Sequence, residues 1–105
     1  MIQKYSYYIL AVAIKKIAQC HASGHPIFIT VNLTVDDLHD AKLASYISDL
    51  IAKHNIAPKF LHLDFSEKAC VTDYARTLKT LTPLVAMGVV MALFDSPILL
   101  AILKF

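Results

Sequence analysis

Hydrophobic and polar positions follow two rhythms along this chain, and Gly and Pro mark the changes between them. Residues 5–22 carry neither Gly nor Pro and predict an amphipathic to buried helix, closed by the turn sequence SGHP at 23–26. IFITVNL at 27–33 is rich in β-branched and aromatic side chains and predicts a strand. The run at 34–55 predicts one helix, with Thr34 as N-cap and Asp36 and Asp37 in the first turn. Its apolar stripe is Leu43, Ile47, Leu50 and Ile51. After a turn at 57–60, LHLDFSE at 61–67 predicts a second strand. A helix from about 71 to 85 follows, with Pro83 inside it, where an early end or a kink is expected. Gly88 turns the chain into a third strand at 89–95, and Pro97 opens a short final helix.

The order α-β-α-β-α-β-α argues for an α/β fold of parallel βαβ units. Strand side chains alternate, so parity sorts them. Ile27, Ile29, Val31 and Leu33 share one face, as do Leu61, Leu63 and Phe65 on the second strand. These all-apolar faces suit cover by helices. Phe28, Thr30 and Asn32 take the other face, with His62, Asp64 and Ser66. That face is expected to line an interior, where a carboxylate must be paired, hydrated or bound to a cation.

Composition narrows the picture. At 105 residues the chain is read as one domain over 1–105 with a single modest core. Hydrophobic residues make up 57% of it and mean hydropathy is +0.57, so apolar surface is expected to meet a partner or lipid. The stretch 83–103 is almost wholly apolar, but Gly88, Asp95 and Pro97 punctuate it as strand, turn and helix rather than as a membrane span. Ten basic against eight acidic residues leave a net charge of +2, and the basic ones are scattered. Without a basic stripe, nucleic-acid binding is not expected. Cys20 and Cys70 form no metal-binding or redox motif and read as reduced core residues. The five histidines match no ligand spacing and read as scattered surface residues, while Tyr5, Tyr7 and Tyr8 read as packing aromatics.

Asn32, Asp64 and Asp95 fall near the ends of the three predicted strands, where parallel α/β folds place their ligand sites. An Asn with two Asp is a hard-oxygen set suited to Mg²⁺, Mn²⁺ or Ca²⁺. The bland readings stand beside this one. Asn32 can serve the backbone, Asp64 can pair with His62 or a Lys, and Asp95 can cap the final helix.

VNLT at 31–34, LHLDFSE at 61–67 and GVVMALFDS at 88–96 together resemble the EAL domain of cyclic-di-GMP phosphodiesterases. The resemblance runs from about residue 9 to 95. It implies that this chain is a partial (β/α)-barrel-like fragment, with about three parallel strands and four helices. In that family a barrel holds two divalent cations that activate a water against a phosphodiester. Asn32 matches the family's metal-binding asparagine, and Asp64 a metal-ligating glutamate, one methylene shorter. Glu67 matches a glutamate that supports a catalytic loop. The family's paired aspartates become Phe94 and Asp95, so the first is lost.

The departures continue. No Glu-Ala-Leu motif precedes the opening helix, the FGTG segment after Asp95 is absent, and the later lysine, glutamate and glutamine positions have no counterpart. The expectation is therefore a catalytically inactive EAL-like protein, bacterial and cytoplasmic, acting through protein contacts. Asn32, Asp64, Glu67 and Asp95 are its residual ligand-binding set, with Mg²⁺ or Mn²⁺ at Asn32, Asp64 and Asp95. An open sheet with unpaired edges is expected to associate as a homodimer or higher oligomer. A non-hydrolysing cyclic-di-GMP receptor and a small membrane-associated protein are the alternatives.

Overall fold

The computed structural model describes residues 5–66 and 73–91. Three short parallel strands form a sheet in the order β1-β2-β3: β1 (Ile29–Asn32), β2 (Leu61–Asp64) and β3 (Val90–Met91). The helices are α1 (Tyr5–Ala22), α2 (Val35–Leu38), α3 (Leu43–His54) and α4 (Tyr74–Met87), and a 3₁₀ turn at Pro58–Phe60 leads into β2. The register sets Ile29 beside Leu61 and Asn32 beside Asp64, then His62 beside Val90 and Leu63 beside Met91. The α/β class and the parallel sheet agree with the sequence reading.

Helices cover one sheet face, as the parity predicts. Val31, Leu33, Leu61, Leu63, Phe65 and Met91 are buried there, in one core with Leu10, Ile14 and Ile17 of α1, Ile47 of α3, and Leu81 and Leu84 of α4. Each such aliphatic side chain contributes on the order of 1.5–3 kcal/mol when fully buried.

The predicted helix over 34–55 is two helices. Leu38 and Leu43 are both fully buried, yet on one continuous helix they would lie about 140° apart. Breaking the helix lets both reach the core. Asp40 holds the break, its Oδ1 accepting the Lys42 backbone N–H at 2.9 Å while its Oδ2 accepts the Tyr7 hydroxyl. Thr34 is the N-cap of α2 as expected, in a capping box whose second member is Asp37.

Pro83 does not end α4, which runs on to Met87. A proline here removes only the bond to the Lys79 carbonyl, and both residues lie on the exposed side, where water replaces it. Gly88 then stops the helix in the left-handed region (φ 106°), with Val89 N–H donating to the Leu84 carbonyl at 3.1 Å. Among the described residues no helix is long and apolar enough to cross a membrane. Cys70, residues 92–95 of the predicted third strand and the predicted final helix lie outside the described residues.

Candidate functional site on the uncovered sheet face

Among the described residues no helix lies on the second face of the sheet. Phe28, Thr30 and Asn32 line it from β1 and the residue before it, His62 and Asp64 from β2, and Val90 from β3. Asn32 and Asp64 are in register at the C-terminal ends of their strands. The Leu33 N–H donates to the Asp64 carbonyl at 2.8 Å, so the pairing continues past both residues and fixes their separation. Together with Ser66 they line an open cleft of about 410 Å³.

The charge of Asp64 is not buried. Its side chain is exposed, as is that of Asn32, so water satisfies the carboxylate and the expected interior lining is instead a solvent-facing surface. Nor is His62 a partner for Asp64. Its ring stacks on Phe28 with centroids 4.2 Å apart and planes 19° from parallel, while Phe28 stays 60% exposed. Parity puts both rings on this face, but their diagonal contact follows from the strand register, which the sequence alone does not carry.

Asn32 and Asp64 offer two oxygen donors to a hard cation. Mg²⁺ takes about six oxygen ligands, so this pair fits a cation only if water or further residues complete the shell. Among the described residues no three His, Cys, Asp or Glu side chains come together to hold a metal ion. Glu67, Phe94 and Asp95 lie outside the described residues.

Two other polar groupings escaped the sequence reading. Asp37, read as a first-turn acid, is only 2% exposed. Its Oδ2 accepts the Ser6 hydroxyl at 2.6 Å, the Thr34 backbone N–H at 2.8 Å and the Thr34 hydroxyl at 3.1 Å. Tyr7 stacks on Tyr46 at 4.1 Å, and the Tyr46 hydroxyl donates to the Tyr7 carbonyl at 2.8 Å. Burial, and then the hydrogen bond to Asp40, push the Tyr7 hydroxyl well above the ordinary tyrosine range. Of the predicted packing aromatics only Tyr7 packs, since Tyr5 and Tyr8 are exposed. His21 is likewise not a plain surface residue: its Nε2 lies 3.1 Å from the Ile27 carbonyl oxygen and its ring meets Phe60 edge-on.

Residues 1–97 match the family model of the EAL domain, and the chain belongs to that family. It is 34% identical over 78 residues to an uncharacterized signaling protein of Caulobacter vibrioides, covering 74% of this chain and 10% of that one. Its fold is similar to the Xanthomonas citri FimX EAL domain solved in complex with c-diGMP, with a TM-score of 0.77, 19% identity, and 82% of this chain covered against 34% of that one. It is also similar to the PaMucR phosphodiesterase in a c-di-GMP complex, with a TM-score of 0.76, 25% identity, and coverage of 93% and 41%. The chain therefore spans less than half the length of these relatives.

Proposed function

We propose that this chain is a non-hydrolysing EAL protein of cyclic-di-GMP signalling in the bacterial cytoplasm, acting through protein contact across its uncovered sheet face. The carrying observation is that face itself, with Phe28 60% exposed on His62 while the described helices pack on the opposite side. Cyclic-di-GMP signalling is supported by family membership and by relatives solved with that nucleotide. Loss of hydrolysis is supported by the residues. Two-metal catalysis needs ligands that clamp both ions and orient the attacking water. Here the first position of the family's aspartate pair holds Phe94, and Asp64 is one methylene short of the glutamate it replaces.

The partner inferred for the open face is a second copy of the chain. In the described sheet β1 and β3 are edge strands, and unpaired edges beside an exposed aromatic favour pairing with another chain. Incubation with cyclic-di-GMP and Mn²⁺ tests the catalytic half: no linear dinucleotide is expected, and steady turnover would overturn this reading.

A second reading rests on Asn32 and Asp64, which remain in register on an open cleft. Under it the chain binds cyclic-di-GMP, with or without Mg²⁺ or Mn²⁺, and does not hydrolyse it. Calorimetric titration distinguishes the readings, because only the second gives binding heat that Asn32→Ala or Asp64→Ala removes.

A further inference from the structure

On the helical side, away from the sheet face, a cleft of about 320 Å³ lies between the connection from α2 to α3 and the middle of α4. His39 and Ala41 line one wall, and Arg76, Lys79 and Thr80 the other. Thr80 is only 5% exposed, so the cleft reaches into the protein at its floor, with Arg76 and Lys79 exposed at the rim. Arg76 and Lys79 stand three residues apart on one helix, where like charges face each other and repel. Arg76 is anchored, its Nη2 donating to the His39 carbonyl at 3.3 Å. That single bond leaves most of the guanidinium fork available.

Three of the described acids nearby are engaged by other groups. Asp73 caps α4, its Oδ1 accepting the Arg76 backbone N–H at 3.3 Å. Asp40 is turned toward Lys42 N–H and the Tyr7 hydroxyl. Asp37 is buried against Ser6 and Thr34. The hydrogen bond that the Arg76 side chain makes among the described residues goes to the His39 carbonyl and not to a carboxylate.

We propose that this cleft binds a small phosphate-bearing anion, held between the Arg76 fork and the Lys79 ammonium beside Thr80. A phosphate would relieve the repulsion between the two cations and engage the guanidinium in paired, charge-assisted hydrogen bonds. The cleft's volume lies at the small end of ligand sites, which suits inorganic phosphate or a phosphate monoester rather than a macromolecule. The inference stands apart from the sheet face and from any role of Asn32 and Asp64.

The test is an amide NMR titration of the full chain with inorganic phosphate, and separately with AMP, against sodium chloride at matched ionic strength. Saturable shifts at Arg76, Lys79 and Thr80 are expected with phosphate and absent with chloride. Arg76→Gln and Lys79→Gln should each weaken binding roughly tenfold, whereas Lys79→Arg should retain it. Tighter binding of AMP would identify an organic monoester as the ligand, and equal binding would identify free phosphate. The Lys79 side chain is exposed and lies outside the core, so Lys79→Gln keeps the test open should Arg76→Gln fail to fold. Chloride shifts matching those of phosphate, or binding unchanged in Lys79→Gln, would mean an adventitious ion only and overturn the proposal.

Discussion

Asn32 and Asp64 stand opposite each other at the ends of two neighbouring parallel strands, both open to solvent. Neither side chain supports the core. Asn32→Ala and Asp64→Ala should therefore change unfolding free energy by no more than about 0.5 kcal/mol in urea titrations. A loss several times larger would mean that these residues hold the fold rather than serve a ligand.

Asp37 should behave in the opposite way. It is 2% exposed and accepts hydrogen bonds from Ser6 and from both Thr34 donors. Asp37→Ala strands those donors and removes the second member of the α2 capping box, so a loss of about 2–4 kcal/mol is expected by urea unfolding. A small domain has about 5–15 kcal/mol in all, so this substitution should leave the chain close to unfolding.

Leu63 lies on the central strand and is fully buried beneath the helices. Leu63→Ala should cost about 2–5 kcal/mol through lost burial and the cavity left behind. Phe28→Ala, on the other face, should cost far less in a monomeric reference state, because its ring is already largely in water. Equal losses at the two positions would contradict the one-sided core.

Tyr7 should ionise at higher pH than an ordinary tyrosine. Burial and the Asp40 hydrogen bond raise its pKa above the ordinary value of 10.0, which favours the protonated form in the folded state. Its stabilising contribution is fully present below the unfolded pKa and is lost as pH rises from there toward the folded value. The absorbance titration near 295 nm should show a late-ionising phase, and Tyr7→Phe should remove that phase. A single transition near the ordinary value in the native protein would contradict the Tyr7–Asp40 bond.

Much of this arrangement is legible in the sequence because it rests on local rules. Strand parity assigns Val31, Leu33, Leu61, Leu63 and Phe65 to the covered face, and it brings Asn32 and Asp64 to neighbouring strand ends. Thr34 and Gly88 mark helix limits through capping chemistry that needs only a few adjacent residues. What the sequence concealed depends on distant partners. The break at Asp40 and the burial of Asp37 require Tyr7 and Ser6, each more than thirty residues away in the chain. The solvent exposure of Asp64 depends on whether anything covers the second sheet face, which no local pattern encodes. Pro83 was misleading for another reason: its missing hydrogen bond falls on a solvated side of α4, where the loss is tolerated.

The claim that the uncovered face is a contact surface is tested most directly by the mass of the full chain in solution. Light scattering on the native protein should give twice the chain mass of 11.7 kDa or a higher multiple. Phe28→Asp, which places a charge in the middle of the proposed contact, should reduce it to one chain with secondary structure intact by circular dichroism. A folded native protein that stays at 11.7 kDa across the accessible concentrations, or an oligomer that Phe28→Asp leaves intact, would contradict the account.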